Sequence, residues 1–383
     1  MNIHIWDLLK IPNLCIAVNT KKLLKDEIKN KILNNISLVA KNLDIKPARL
    51  YEYFIWQKSA IPLNILISLS RDLNITKNKI EKGIIIYKQL YVPEKNSIKW
   101  PKLPIEISPY LTSTLSNLFF DGSVPKDGKG TYYNQKNKEI MEDFIKKLKY
   151  IFGDVSYSLT LDHRGVLKCR VPRLIGEICR GIFEVGSFGT FDSRIPKKIF
   201  DFNIEHKIAF VLTALIDEGS IAYDGNIIFG ISNKNMCEDV RKLCIEIGLK
   251  ADKIRTKKNS NFYYFHILSL KELYNLLLKF SKKYPLISLR YKEERLKKAL
   301  EIKNQKHYHS RSFTNKRKSL LFEELKNKKC SINYLCSKYL IPPKTIRRDM
   351  YLMMKEGKVA RKKVGNEYFY YLANFSIASF NSL

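Results

Sequence analysis

Acidic side chains are scarce in this chain: 37 Asp and Glu stand against 69 Lys and Arg, a net charge of +32 over 383 residues. So one-sided a balance points to a polyanionic partner, and nucleic acid is the usual one. Long hydrophobic runs are also missing. None approaches the roughly 20 apolar residues that span a bilayer, and the opening Met1-Asn2-Ile3-His4-Ile5-Trp6 has no signal-peptide pattern, so no membrane association and a soluble, cytoplasmic protein are expected. The seven cysteines (15, 169, 179, 237, 244, 330, 336) lack any Cys-x-x-Cys spacing, and the six histidines do not cluster with them. That argues against a zinc site or a disulfide framework and leaves free thiols in a reducing compartment. Protein splicing is discounted too: the chain begins Met-Asn and ends Phe380-Asn381-Ser382-Leu383, without the nucleophile or the His-Asn pair such chemistry uses.

What is present centres on Ala209-Phe210-Val211-Leu212-Thr213-Ala214-Leu215-Ile216-Asp217-Glu218-Gly219-Ser220-Ile221. An apolar run of helical length ends in two acids, a Gly and strand-forming residues. A helix apolar on nearly every face is buried, which carries its terminal carboxylates into a packed core against the negative end of the helix dipole. Carboxylates there need a compensating cation, and a hard metal ion is the simplest one. The alternative is an amphipathic helix whose acidic last turn simply stops at a glycine C-cap.

The pattern occurs twice. Leu115-Ser116-Asn117-Leu118-Phe119-Phe120-Asp121-Gly122-Ser123-Val124 repeats the apolar run, acid, Gly, Ser and aliphatic residue, and Asp121 lies 97 positions before Glu218. Asn137-Lys138-Glu139-Ile140-Met141-Glu142-Asp143 recurs 96 positions later as Asn233-Lys234-Asn235-Met236-Cys237-Glu238-Asp239, and Gly153 recurs as Gly248 after 95. A near-constant offset through three landmarks predicts a duplicated unit. Each half reads as helix, hairpin, helix, hairpin, helix, with turns at Asp127-Gly128, Asp162-His163-Arg164-Gly165 and Asp224-Gly225. The fold class expected is α+β, a duplicated αββαββα unit, whose free sheet faces would set out Tyr157, Arg164, Lys168, Arg170, Arg255, Lys257, Lys258 and Tyr264 as a basic saddle.

Paired helices ending in acid-Gly-Ser-aliphatic, each followed by a hairpin and an Asn-Lys-x-x-x-Glu-Asp helix, resemble the LAGLIDADG homing endonucleases in their single-chain, two-repeat form. Leu215-Ile216-Asp217-Glu218-Gly219-Ser220 is a good match, and Arg194-Ile195-Pro196 resembles the approach to the second motif. The first motif departs from the pattern, with Phe119 and Phe120 where an acid and a small residue are usual. The resemblance covers about residues 105–300, with repeats at about 105–185 and 200–300. It implies that Asp121 and Glu218 bind a divalent metal, Mg2+ or Mn2+, each acid serving cleavage of one strand of duplex DNA. It also implies a basic residue near the centre, for which Lys168 is the candidate. The position 97 further on is Phe265, so the second half lacks that lysine. Asp217 matches a common second acid, with Phe120 opposite it in the first half.

On either side lie two smaller regions. Residues 1–95 read as short helices and resemble the helix-turn-helix of lambda-repressor and Cro type, an all-α DNA module with Lys46, Arg49, Tyr53 and Gln57 toward the bases. Tyr91 to Pro104 reads as a linker. Arg290 to Lys318 reads as a helix and a basic linker that tracks phosphates. Residues 312–383 resemble a winged helix with Lys344, Arg347 and Arg348 on its recognition helix and Arg361, Lys362 and Lys363 on the wing. The whole reads as a monomeric, site-specific, metal-dependent DNA endonuclease. Two alternatives stay open: a transcriptional regulator carrying a degenerate LAGLIDADG domain, and an RNA maturase sharing the same basic saddle.

Overall fold

Two buried helices, Pro109–Phe119 and Ile204–Asp217, run side by side through the centre of the computed structural model, which describes residues 2–11, 14–56, 59–125, 130–257, 260–304, 314–365 and 367–373. Every residue of the first helix is buried, including its four Ser and Thr side chains and Asn117. These small polar groups let the helices meet closely and find partners across the seam. Ser113 Oγ meets Thr213 Oγ1 at 2.7 Å, Thr112 Oγ1 meets His206 Nδ1 at 2.7 Å, and the Ser116 hydroxyl donates to the Phe210 carbonyl at 3.0 Å.

Each helix leads into a four-stranded antiparallel sheet. One is built from Gly122–Ser123, Thr131–Gln135, Ser158–Leu161 and Leu167–Val171, the other from Gly219–Ile221, Ile227–Ile231, Arg255–Thr256 and Tyr263–Ile267. Numbered along the chain, the strands of both sheets lie in the order first, second, fourth, third. Thr131 pairs with Val171 and Ile227 with Ile267, so the two sheets correspond at an offset of 96. The counterpart of Lys168 is therefore Tyr264, and the choice of Phe265 at offset 97 is corrected. A shift of one residue along a strand moves a side chain to the opposite face, and Phe265 is fully buried beneath the sheet.

The Asn-Lys-x-x-x-Glu-Asp segments open the helices Lys138–Phe152 and Lys234–Glu246. Asn137 and Asn233 are their N-caps, accepting from the amides of Ile140 and Met236. The Asp of each segment binds an arginine that follows the other half. Asp239 takes Arg194 at 2.6 Å and 3.0 Å, and Asp143 takes Arg290 through Nε and Nη2. Arg194 and Arg290 also stand 96 positions apart. Arg290 thus ties the two halves together, while the basic linker expected to track phosphates falls at 305–313, outside the described residues.

The N-terminal region is not all-helical. Its helices Lys22–Ile32, Ile36–Asn42, Pro47–Leu50, Leu63–Asp72 and Lys77–Gly83 pack on a five-stranded sheet ordered Ile61–Pro62, Ile16–Thr20, Ile84–Gln89, Ser97–Lys99, Asp154–Val155. The β-branched runs Ile16-Ala17-Val18 and Ile84-Ile85-Ile86 suit strands, and a helical reading passes over them. Ser97–Lys99 lies inside the expected linker, with Ile98 fully buried, and its last partner Asp154–Val155 comes from the central region. One continuous core consequently runs from Ile5 to Ala299.

Beyond residue 313 a second core gathers Leu321, Leu325, Leu335, Ile346, Met350 and Met353. Helices Thr314–Asn327, Ile332–Tyr339 and Pro343–Lys355 pack on a sheet ordered Cys330–Ser331, Glu367–Leu372, Val359–Val364. A buried ion pair, Arg317 Nε to Asp349 Oδ2 at 2.8 Å, ties its first and third helices. This unit meets the centre at Tyr223, which packs on its core, and where Lys298 Nζ donates to Ser337 Oγ at 2.5 Å. All seven cysteines are free thiols, and among the described residues no helix is long and apolar enough to cross a membrane.

Candidate metal and nucleic-acid site

The two central helices end together, and their ends carry three carboxylates. Gly122 and Gly219 turn the chain from helix to strand so tightly that a Cβ would come within 2.4 Å of Leu118 Cα in the first case and 2.5 Å of the Leu215 carbonyl in the second. No other residue fits at that approach. Asp121 and Glu218, each just before its glycine, are held half-buried at this junction.

Burial, then the neighbouring Asp217 and Glu218 carboxylates, push the pKa of Asp121 up to about 8. Burial also raises that of Glu218. One Asp121 oxygen accepts from Gln135 Nε2 at 3.2 Å. Asp217 is differently placed. Both of its oxygens are engaged, by Tyr133 Oη at 2.7 Å and Asn117 Nδ2 at 2.9 Å, and burial holds its pKa up at about 7. Beneath it Lys147 is buried with its ammonium on Ser113 Oγ at 2.7 Å and Asn117 Oδ1 at 2.6 Å. Asp217 therefore belongs to a polar network that locks the helix pair, and opposite it Phe120 packs its ring on Phe210 and Phe229 of the other half.

The basic residue at this centre is Lys292, from helix Tyr291–Asn304, and not Lys168. Its ammonium donates to the carbonyls of Leu215 at 2.9 Å, Ile216 at 2.5 Å and Gly219 at 2.6 Å, which caps the end of the second motif helix. It is 4% exposed. Burial lowers its pKa to about 8 against the pull of Asp217, Asp121 and Glu218. Lys168 instead stands on the open face of the first sheet with Nζ 4.2 Å from the Tyr132 ring, and Arg170 lies over the same ring at 5.8 Å. Sequence reasoning missed Lys292 because it sits in a charge-dense segment where a solvated side chain is the default. The only signal was its placement at the end of the second repeat.

The donor set suits a hard divalent cation taken from both halves: two carboxylates with raised pKa, whose remaining ligands would be water and phosphate oxygens. Among the described residues no group of three or more His, Cys, Asp or Glu is arranged to hold a metal.

Around this centre the candidate DNA contacts spread over three surfaces. On the central sheets Tyr157, Arg164, Arg170, Arg255 and Lys257 are exposed, with Arg164 bound to Asp162 at 3.0 Å and Arg255 to Asp252 at 2.7 Å. Lys258 and the turn Asp127-Gly128 lie outside the described residues, as does Gln57. In the N-terminal region Lys46 and Arg49 are exposed at the short helix Pro47–Leu50, and Arg49 pairs with Glu52 at 2.8 Å. Tyr53 is corrected: it is 7% exposed and packs inward. It follows that helix through a wider π turn, Tyr51–Ile55, which rotates it into the core. At the C-terminal end Lys344, Arg347 and Arg348 occupy the exposed face of helix Pro343–Lys355, while Ile346, Asp349, Met350 and Met353 face inward. Arg361, Lys362 and Lys363 are exposed on the adjoining strand Val359–Val364.

No family model and no curated protein matches the chain. Among solved structures it is similar to I-DmoI bound to DNA and manganese, at 16% identity and a TM-score of 0.32, over 46% of this chain and 96% of that one. It is also similar to the N-terminal LAGLIDADG domain of DUF199/WhiA, at 12% identity and a TM-score of 0.32, over 47% and 86%. Full-length DUF199/WhiA from Thermatoga maritima is similar at 12% identity and a TM-score of 0.32, over 66% and 92%. The likeness is partial in coverage and low in score.

Proposed function

We propose that the chain is a site-specific DNA endonuclease of the LAGLIDADG type, with a duplicated central unit that hydrolyses phosphodiester bonds with a divalent metal. The carrying observation is that Asp121 and Glu218, from two helices, share one half-buried junction where burial raises the pKa of both and the Asp217 and Glu218 carboxylates raise that of Asp121 further. Held there, Asp121 and Glu218 would bind Mg2+ or Mn2+, which when bound stabilises charge on a phosphate oxygen and acidifies water. The chain's own residues do the rest. Gly122 and Gly219 set the two carboxylates at the seam, Gln135 orients Asp121, and Lys292 holds the helix end beneath Glu218 rigid. Lys168 and Arg170 on the first sheet, with the exposed cations of the 1–95 and 312–383 regions acting as helix-turn-helix and winged-helix modules, bind phosphates and position the duplex.

The test is incubation with a randomised duplex library and magnesium, followed by sequencing of cut ends. Asp121→Asn and Glu218→Gln should abolish cutting while leaving duplex affinity unchanged or higher. A wild-type protein that selects a site yet cuts nothing with either metal sinks the endonuclease. The regulator reading then stands, and it has its own support: Asp217 is fully engaged, Phe120 stands opposite it in the first half, and Lys292 already places a cation beside the carboxylates.

A further inference from the structure

The open faces of the two sheets are chemically unlike, although their strands correspond position by position. Where the first half has Lys168 and Arg170, the second has Tyr264 and His266. Tyr264 and His266 alternate along the strand Tyr263–Ile267 and so share its open face, and Phe262, immediately before the strand, sets its ring against Tyr264. The Phe262 and Tyr264 rings lie 6.4 Å apart at 28°, and Tyr264 meets His266 at 5.7 Å and 78°. Phe262 is 38% exposed and rests over Gly230, where an added Cβ would come within 2.5 Å of Cζ. The missing side chain is thus the seat of the ring.

Beside this aromatic row runs a cationic one. Arg255 pairs directly with Tyr264, the Lys257 amide donates to the Phe262 carbonyl at 3.1 Å, and Lys253, Arg255 and Lys257 are all exposed. Past His266 the row opens into a cavity of about 430 Å³, bounded by Asp224, Asn226, Asp252 and, from the C-terminal unit, Pro342.

In an intact duplex the flat faces of bases are covered by their neighbours, so exposed rings gain nothing by stacking there. Rings set beside a row of cations suit a strand whose bases are free. We infer that the second sheet is a stacking platform for unpaired DNA. The preferred substrate then carries a paired segment on the Lys168 and Arg170 face and a single-stranded segment on the Phe262, Tyr264 and His266 face. The inference rests on the DNA-binding part of the proposed function and names its substrate class.

The test measures binding by the full chain, in EDTA so that no cutting intervenes. The probes are a blunt duplex and the same duplex ending in a single-stranded arm that carries 2-aminopurine. The armed duplex should bind at least tenfold tighter, with quenching of the 2-aminopurine on binding. Phe262→Ala with Tyr264→Ala should erase the preference and the quenching, given ~1–3 kcal/mol per stacked base, while blunt-duplex affinity stays within about twofold. Tyr264→Phe should retain both, which separates lost stacking from lost folding. Lys168→Ala with Arg170→Ala should weaken both probes. Equal wild-type affinity for the two probes overturns the platform, as does a Phe262→Ala, Tyr264→Ala variant that weakens both alike. An RNA arm bound more tightly than the DNA arm also overturns the assignment to DNA. Arm preference without cleavage in magnesium removes the endonuclease and keeps the platform, and cleavage of blunt duplex without arm preference does the reverse.

Discussion

At the foot of the helix pair, three carboxylates and two ammonium groups share a space from which most water is excluded. A carboxyl whose pKa is higher folded than unfolded binds protons more strongly in the native state, so stability falls as pH rises between the two values. For Asp121 that window runs from its ordinary 3.8 to about 8. Without metal, the protein should therefore lose stability steadily from pH 5 to pH 8. Asp121→Asn should flatten that slope and gain on the order of 2 kcal/mol at pH 8, since one pKa unit is worth ~1.4 kcal/mol and Lys292 offsets part of the shift. Thermal melts in EDTA across that range check this, and superimposed curves for the two proteins would contradict it. Lys292 carries the opposite expectation. Lys292→Met leaves three helix-end carbonyls and the acids without their cation, so it should cost about 3–5 kcal/mol. Lys168→Ala, on the exposed face, should change stability by less than about 0.5 kcal/mol while weakening DNA binding. Denaturant titration of the two variants side by side separates the structural lysine from the surface one.

The elements are joined by a reciprocal pair of contacts. Arg194 reaches forward to Asp239, while Arg290 reaches back to Asp143 and thereby ties the end of the second half to the first. Asp143 is 5% exposed, so Arg290→Ala strands a buried carboxylate and should destabilise by about 3 kcal/mol. Arg290→Ala with Asp143→Asn should recover part of that loss, and a double-mutant cycle measures it. Much at this scale was legible beforehand. The apolar run that ends in Asp217-Glu218 is the helix Ile204–Asp217, the strand Ile227–Ile231 follows the turn expected at Asp224-Gly225, and the Asn-Lys segments start helices because Asn is a strong N-cap. The correspondence of Lys168 slipped by one residue because the offset changes from 97 at the acids to 96 in the strands. Only the pairing of Lys168 with Asn134 and of Tyr264 with Gly230 fixes which residues share a face.

For the molecule as a whole, the charge excess sets a measurable expectation. If the exposed cations of the three surfaces engage 6–10 phosphates, affinity for duplex DNA should fall by about 10³ or more between 50 and 200 mM salt. A nearly flat dependence would mean that the charge only solvates the surface. The N-terminal region should melt together with the centre, because one sheet carries strands of both and one core runs through them. The C-terminal unit has a core of its own and is expected to unfold separately in calorimetry. The sequence by itself determined the repeated helix ends, their acids and glycines, and the basic balance, since these are local patterns written in spacing and composition. Only the tertiary structure decided that Lys292 rather than Lys168 stands beside the acids, that Asp217 is locked away, and that Ser97–Lys99 is a strand and not a linker. Each of those depends on a partner 55 or more residues distant, or on the side of a strand that faces the core, and neither is carried by local spacing.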